Sequence, residues 1–328
     1  MEGTVRYIFS GGNTPKGFYS YYNYILPQEK AARIYCIKGG PGVGKSTMMR
    51  SIGEYFVSKG EAVDMFLCSS DPDSLDGILI NERNVLIVDG TAPHIIDPIN
   101  PGAVDEIIDL AGFLDHKILK KQKDEIITTS FSVSDAFKAA YRSLSNVGLK
   151  YELLSVTSDH PVINNSDDLM KLLDNKRTRV ERHGNEKRFF SYAITFKGLI
   201  DHTYTLIKGI KNIFTIDGQP GMKTENVLMP IANRLMDNGF DVELYYSPMC
   251  PDTRVEHIIS KDADMAVITM GSSNNEYMRK QLQKVFEQLS KAKLLHDELE
   301  KYYIPAMDFD SVEETGKELI KTIENEYS

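Results

Sequence analysis

The sequence predicts an α/β chain of two tandem modules, each built on a doubly wound, mainly parallel sheet with added helices. Similar features recur in the same order about 180 residues apart, which is the pattern of an internal repeat. Short apolar runs without alternation, such as residues 85–88, are typical of strands that are buried on both faces of a parallel sheet. In each copy a glycine-rich loop joins such a run to a segment with helical periodicity, which indicates a βαβ unit.

The repeat starts with two similar stretches of sequence, residues 6–17 and residues 187–198. It continues at almost constant spacing with two apolar strands, residues 34–37 and residues 213–216. Each of these strands enters a Gly/Pro loop that ends in Lys and a hydroxyl residue. Duplication followed by divergence explains why the features keep their order.

The repeat also sets the predicted domain bounds. Residues 1–184 form an N-terminal module with a helical insertion, and residues 185–328 form a duplicated, degenerate module. We expect the two halves to pack on each other. Residues 14–17 and their counterparts 195–198 are predicted hairpin turns, and their repetition suggests an architectural role in which a hairpin crosses onto the opposite module.

Helical periodicity of the apolar residues predicts several helices along the chain. They cover residues 45–59, residues 101–114, a stretch around 133–144, residues 275–303 and a last segment from Ser311. Gly60 and Pro305 are the predicted stops of two of these helices. His116 and His296 lie in helical surroundings, where we expect them to be packing or surface positions.

Composition excludes several classes of protein. The net charge is −9, from 38 Lys and Arg against 47 Asp and Glu, which argues against nucleic acid or an anionic membrane as a partner. The three cysteines, Cys36, Cys68 and Cys250, form no CxxC pair, and no apolar run reaches the roughly 18 residues of a membrane helix. We therefore expect a cytoplasmic protein, and a homo-oligomer is left open.

The strongest motif is the first glycine loop, residues 39–46, which matches G-x-x-x-x-G-K-[ST] between a predicted strand and a predicted helix. Glycines let successive backbone N–H groups point at an anion, and the following helix adds its positive N-terminal end. Lys45 is expected to reach the β- and γ-phosphates of a nucleotide, and Ser46 to bind Mg²⁺. The predicted nucleotide-binding residues are Gly39, Gly40, Pro41, Gly42, Val43, Gly44, Lys45, Ser46 and Thr47.

A carboxylate at the end of a neighbouring strand is the expected second ligand of that metal, and Asp89 follows the apolar residues 85–88. Lys45, Ser46 and Asp89 resemble the Walker A and Walker B residues of the P-loop NTPase superfamily. The resemblance implies an α/β nucleotide-binding fold, with ATP as substrate or ligand and Mg²⁺ as cofactor.

More narrowly, nearly the whole chain resembles a family of bacterial proteins with two tandem P-loop halves that are described as ATPase-like. This narrower likeness is carried by the stretches at residues 9–17, 89–94 and 101–108.

The second glycine loop, residues 218–224, departs from the motif. It keeps Gly218, Gly221, Lys223 and Thr224, but it is one residue shorter. Met222 stands where the first loop has Gly44, and its side chain is expected to crowd the approach to a phosphate. Pro230 lies inside the expected helix, and Thr269 replaces the metal-binding Asp89. The sequence therefore predicts that the C-terminal half binds nucleotide weakly or not at all.

The sequence indicates the residue that orients the nucleophile less clearly than it indicates the phosphate-binding loop. Asp71, Asp73 or Asp76 would lie beside the strand ends and could orient water or an acceptor hydroxyl. The alternative for this segment is an Asp-Pro turn with a helix cap at Asp73 or Ser74. His94 is either a sensor of the γ-phosphate or a hydrogen-bonding loop residue.

Residues 176–188 form the one basic cluster in the sequence, which is either the source of an arginine finger or a solvated linker.

The favoured function is a slow ATPase with its active site in the N-terminal half, in which Lys45, Asp89, Asp71 and Asp73 are the catalytic candidates. One alternative is a kinase for a nucleotide or another small molecule, in which one of the Asp residues holds the acceptor hydroxyl. A second alternative is a nucleotide-sensing switch with negligible turnover. Adenine is preferred over guanine because the chain has no NKxD motif.

Overall fold

The computed structural model describes residues 3–91, 96–157, 160–176, 182–273 and 275–327, which form a mixed α/β protein. The strands are β1 (Val5–Ile8), β2 (Gly11–Thr14), β3 (Gly17–Ser20), β4 (Arg33–Lys38), β5 (Val63–Leu67), β6 (Leu75–Ile80), β7 (Val85–Asp89), β8 (Asp105–Asp109), β9 (Glu186–Phe190), β10 (Ala193–Thr195), β11 (Gly198–Ile200), β12 (Asn212–Asp217), β13 (Val242–Tyr246), β14 (Val255–Ser260) and β15 (Met265–Met270). The helices are α1 (Lys45–Ser58), α2 (His116–Lys121), α3 (Lys123–Thr157), α4 (Ser166–Asn175), α5 (Thr203–Leu206), α6 (Glu225–Asp237), α7 (Glu276–Tyr303) and α8 (Phe309–Glu326).

The chain divides into two compact units. Unit 1 contains Met1–Ile8, Leu26–Ala139 and Glu287–Ser328, and unit 2 contains Phe9–Ile25 and Ala140–Phe286. These bounds differ from the modules 1–184 and 185–328 of the sequence repeat, because α3 and α7 each begin in one unit and end in the other. The predicted hairpin turn at residues 14–17 joins β2 to β3, and this hairpin belongs to unit 2.

Unit 1 is built on a six-stranded sheet with the order β1-β5-β6-β7-β4-β8. All neighbours pair in parallel except β6, which is antiparallel to both β5 and β7. The carboxyl ends of β4, β5 and β7 therefore lie at one edge of the sheet. In the pairing of β4 with β7, Ile37 lies opposite Asp89.

Unit 2 is built on a five-stranded sheet with the order β12-β15-β14-β13-β9. Here β14 is the antiparallel strand, and the pairs β12 with β15 and β13 with β9 are parallel. Read from β4 towards β1, the unit 1 sheet has the same sequence of parallel and antiparallel neighbours. Two short hairpins, β2-β3 and β10-β11, complete the strands of unit 2.

The predicted helix after the first glycine loop is α1, which buries Met48, Met49, Ile52 and Phe56 on one face. The helix is followed by Gly60, whose φ of +94° is accessible to glycine at little cost. Helix α8 packs on α1, and a Cβ added to Gly316 would lie 3.1 Å from Met48 Cγ. Burial of apolar faces on both helices fixes this pair against unit 1.

Two sequence predictions for unit 1 are wrong. Residues 101–114 form β8 and a short 3₁₀ turn rather than a helix, because residues 105–109 add a parallel edge strand to β4. This edge strand has five residues, with one apolar side chain on each face. The spacing of apolar residues in and beside so short a strand can equal the spacing on one face of a helix. Neither Asp73 nor Ser74 caps a helix, since a turn at residues 71–74 leads directly into the buried strand β6. This antiparallel strand makes the sheet mixed.

The other predicted helices are confirmed. The stripe around residues 133–144 lies in α3, residues 275–303 correspond to α7, and the last helix is α8. Pro305 follows α7 in a 3₁₀ turn. His94 and residues 177–181 of the basic cluster lie outside the described residues. Within the described ranges, no helix has the length and apolar character needed to cross a bilayer.

A buried ion pair joins the first two strands of the unit 1 sheet. Arg6 and Asp64 lie opposite each other in the register of β1 with β5, and both are buried. The guanidinium donates two hydrogen bonds to the carboxylate, from Nε at 2.7 Å and from Nη2 at 2.6 Å. Removing one partner of such a pair leaves an uncompensated buried charge.

We expect Arg6→Leu to lower the free energy of unfolding by about 3–5 kcal/mol, because Asp64 then stays buried without its cation. The double variant Arg6→Leu with Asp64→Leu should recover most of the loss. Urea denaturation measures both effects, with Lys138→Ala as the control, because the pair of Lys138 with Asp135 is exposed. A loss below about 1 kcal/mol for the single variant would contradict a structural role for the pair.

Candidate functional site

The first glycine loop closes at the carboxyl end of β4 and leads into α1. Gly42 and Gly44 have φ values of +67° and +87°, a backbone region that residues with a Cβ rarely adopt. Val43 is buried, and a Cβ added to Gly39 would lie 2.8 Å from its Cγ2 atom. These glycines are therefore required by the conformation and the packing of the loop.

Lys45 lies across this loop. Its Nζ atom donates to the carbonyl oxygen of Gly40 at 2.7 Å, and a longer contact of 3.4 Å joins it to the carbonyl oxygen of Gly39. The same ammonium lies 3.6 Å from Oδ2 of Asp89. Both side chains are mostly buried, with 12 % and 13 % of their surface exposed. The structure therefore brings together the two residues that the sequence singled out most strongly.

Asp89 is positioned by the parallel pairing of β7 with β4 and by the turn that follows it. Its Oδ1 atom accepts a hydrogen bond from the backbone N–H of Thr91 at 2.8 Å. The Thr91 hydroxyl donates to the carbonyl oxygen of Gly39 at 2.9 Å. One oxygen of Asp89 is thus engaged by the backbone, and the other faces Lys45.

The two hydroxyl residues at the start of α1 have different surroundings. Ser46 is partly buried, and its Oγ atom accepts a hydrogen bond from the backbone N–H of Leu75 at 2.9 Å, which ties α1 to the start of β6. Thr47 is exposed. Ser46 thus retains a second oxygen lone pair, whereas Thr47 points away from the buried part of the site.

The three aspartates after β5 separate in the structure. Asp71 accepts hydrogen bonds from the Ser74 hydroxyl and the Asp73 backbone N–H, so it forms the predicted turn. Asp73 is exposed, and its carbonyl oxygen accepts a hydrogen bond from Arg50. Asp76 is buried at the start of β6, at the same edge of the sheet as Asp89. Of the two catalytic candidates in this turn, Asp71 is partly buried and Asp73 is exposed.

Sequence reasoning missed the residues that the unit 1 part of α7 brings to this edge. Lys293 lies 3.4 Å from Oδ2 of Asp71 and also pairs with Asp297. Further along the helix, a Cβ added to Gly40 would lie 3.0 Å from the ring of Tyr303, and one added to Gly42 would lie 3.2 Å from Cβ of Glu300. The end of α7 thus packs directly on the first glycine loop.

His296 lies between these contacts. Burial is the main cause that lowers its pKa, and the positive charges of Lys293 and Lys45 act in the same direction, while Glu300 and Asp297 oppose them. The imidazole is therefore mainly neutral at pH 7. We predicted a packing or surface position for His296 and did not predict its electrostatic interaction with Lys45 of the loop. No local sequence signal links residues that are about 250 positions apart.

Among the residues that the structure describes, one group of side chains lies close enough together to share a metal ion: His296, Asp297 and Glu300. Asp297 already has a cationic partner in Lys293. A metal ion at this position would have to compete with that ammonium group for the carboxylate.

The second glycine loop has a different set of hydrogen bonds. Lys223 is exposed, and the Thr224 hydroxyl donates to the carbonyl oxygen of Val255 at 2.6 Å. Met222 is buried, as its large side chain requires, and Gly221 has a φ of +83°. A Cβ added to Gly218 would overlap with Thr269 Cγ2, so this loop packs closely on β15.

Helix α3 supplies the polar partner of the second loop within unit 2. The backbone N–H of Gly221 donates to the hydroxyl of Tyr151, whose pKa burial raises to about 12. A Cβ added to Gly221 would lie 2.7 Å from the backbone of Leu154. Arg254 lies over the Tyr151 ring and 3.2 Å from Glu225. A loop N–H that an anion would need is therefore already paired inside the protein.

Two arginines of the basic cluster pair with carboxylates of unit 2. Arg182 lies 3.3 Å from Asp241, and Arg188 pairs with Glu186. Neither residue belongs to unit 1, which contains the first glycine loop.

Comparison of the chain with family models, with curated proteins and with solved structures finds no match.

A buried carboxyl group in unit 2 gives the protein a predicted pH dependence. Glu256 accepts a hydrogen bond from the Ser191 hydroxyl at 2.6 Å, and burial raises its pKa from 4.5 to about 7. The folded protein thus holds this proton at pH values where the unfolded chain has lost it. The contribution to stability is fully present below pH 4.5 and is lost as the pH rises towards 7.

We expect the free energy of unfolding to fall by about 3 kcal/mol from this group as the pH rises through that interval. Glu256→Gln should remove this part of the dependence, because its amide does not titrate. Urea denaturation of both proteins at a series of pH values from 4.5 to 7.5 measures the difference. Parallel pH profiles for the wild type and the variant would contradict the assignment.

Proposed function

We propose that this chain binds Mg-ATP at the first glycine loop and hydrolyses it slowly. The observation that carries the proposal is the approach of Lys45 to Asp89 beside a loop with the sequence G-x-x-x-x-G-K-[ST]. Phosphate binding by a loop lysine and metal binding by a strand-end carboxylate require these two groups at one place. A glycine-rich turn that binds no ligand does not require a lysine and a carboxylate to lie close together.

The residues present fit a magnesium ion. Ser46 and Asp89 offer the oxygen ligands that Mg²⁺ prefers, and both are partly withdrawn from solvent. The neutralisation of phosphate charge is the chemistry that Mg²⁺ supplies when it is bound. We assign Ser46 and Asp89 as the residues that would hold it.

The chain's own groups would bind and orient the phosphates. The backbone N–H groups of the loop and the N-terminus of α1 favour an anion. Lys45 now donates to two loop carbonyl oxygens, and phosphate oxygens would replace these as acceptors for its ammonium group. Burial of the lysine strengthens each of these interactions relative to water.

We also propose that the chain consists of two P-loop NTPase-type modules that arose by tandem duplication. Three features support this: the matching order of strands in the two sheets, the two equivalent hairpins, and the position of each glycine loop between a strand and a helix. In this proposal the second loop is degenerate, because Tyr151 takes the Gly221 N–H and Thr269 replaces the carboxylate.

Loss of one lysine tests the site. We expect Lys45→Ala to weaken binding of an ATP analogue by about tenfold to a hundredfold, because charge-assisted hydrogen bonds to phosphate are lost. Lys223→Ala is the matched control in the second glycine loop and should leave affinity unchanged. Calorimetry with Mg²⁺ should also give one nucleotide per chain. Two equal tight sites, or no heat from wild-type protein at millimolar nucleotide, would contradict the proposal.

Product analysis tests the reaction. We expect ATP to give ADP and phosphate without any acceptor, and Asp89→Asn to keep nucleotide binding but lower the rate of phosphate release by at least about tenfold. Release of ADP only when an acceptor is added would favour the kinase. Stoichiometric nucleotide retention without phosphate release would favour the switch.

A further inference from the structure

The unit 1 part of α7 runs along the edge of the sheet where β4, β5 and β7 end. At one end of this segment, Lys293 contacts Asp71, which follows β5. At its other end, Tyr303 packs on Gly40, which follows β4. The residues between them, His296 and Glu300, lie at helical spacing from Lys293. One face of the helix therefore lines the region that the first glycine loop opens onto.

Lys293 is the cationic member of this face. Its side chain is only 20 % exposed, and burial acts to lower its pKa. The hydrogen bond to Asp297 and the charge of Asp71 outweigh burial, so that the pKa is raised and the ammonium group stays charged. Two carboxylates thus hold one partly buried cation at this edge of the sheet.

Electrostatic interactions relate Lys293 to Lys45. The charges of both lysines act to lower the pKa of His296. Lys45 is the first residue of α1, whereas Lys293 belongs to the part of α7 whose end packs on the loop. An anion between them would receive positive charge from two sides.

We propose, on the basis of the ATP site proposed above, that Lys293 binds the terminal phosphoryl group of the nucleotide. Phosphate oxygens would replace Asp71 and Asp297 as acceptors for its ammonium group. During hydrolysis a water oxygen forms the new bond to the γ-phosphorus while the bond to the bridging oxygen of ADP breaks. The bonding electrons leave with ADP, and a proton from the water is released with the phosphate product. Lys293 would stabilise the charge on the transferred group.

Lys293 is an alternative to the arginine finger that the sequence allows in the basic cluster at residues 176–188. Arg182 and Arg188 belong to unit 2 and pair there with Asp241 and Glu186. Lys293, in contrast, belongs to unit 1 and lies beside a carboxylate at the edge of its sheet.

A comparison of two nucleotides tests the contact. Lys293→Met should weaken binding of a non-hydrolysable ATP analogue by about tenfold or more, while affinity for ADP changes by less than about twofold, because ADP lacks the terminal phosphoryl group. Lys293→Arg should restore most of the difference. The control is Lys301→Met on the same helix, an exposed lysine that pairs with Glu298. Calorimetry gives the affinities, and far-UV circular dichroism checks that each variant is folded.

For a second variant we expect the affinity for the ATP analogue to change in the opposite direction. Asp71→Asn removes a carboxylate that competes for Lys293, so it should tighten binding of the ATP analogue by a few fold. A lysine that only holds α7 in place would not produce this gain. The variant also keeps the proposal testable if Lys293→Met fails to fold.

The outcomes separate this inference from the function on which it rests. Equal loss of both nucleotides in Lys293→Met, or no loss of either, overturns the contact with the terminal phosphoryl group while the ATP site stands. Wild-type protein that binds neither nucleotide overturns both proposals. Selective loss of the ATP analogue together with a gain in Asp71→Asn supports the contact.

Discussion

The candidate site depends on the parallel pairing of β4 with β7. This pairing places Asp89 opposite Ile37, so the carboxylate lies at the sheet edge where the first glycine loop begins. A slip of one residue would turn every side chain of β7 to the other face of the sheet. The buried apolar residues of both strands oppose such a slip, because each would exchange its packing partners. Core packing therefore also sets the distance between Lys45 and Asp89.

The two glycine loops show how the same position in a sheet can acquire different chemistry. In the first loop, the lysine folds inward and one carboxylate oxygen faces it. In the second loop, the lysine is exposed and a tyrosine hydroxyl accepts from the loop backbone. A polar group that finds a partner inside the protein has little to gain from an external anion. A loop sequence alone is thus an incomplete guide to ligand binding.

Local sequence patterns predicted the strands beside the first glycine loop, helix α1 and the proximity of Lys45 to Asp89. They did so because a motif of adjacent residues and a buried strand carry their own signal. Residues 105–109 were misassigned because an edge strand of this length cannot be told from a helical stripe by spacing. The role of α7 at the site was not predictable in this way. Contacts of Lys293 and Tyr303 join residues far apart in sequence, and only the tertiary fold brings them together.

Helix α8 is the last element of the chain, yet it packs on α1, near the start of unit 1. Arg83 extends this attachment, since its guanidinium donates to the carbonyl oxygens of Ile323 and Tyr327. On the ribosome, α1 emerges long before α8, so the surface of α1 that α8 covers stays exposed until α8 has been synthesised. The nascent chain would meanwhile expose Met48 to solvent and to chaperones. Completion of unit 1 therefore waits for the synthesis of α8, whatever the rate at which its other strands and helices form.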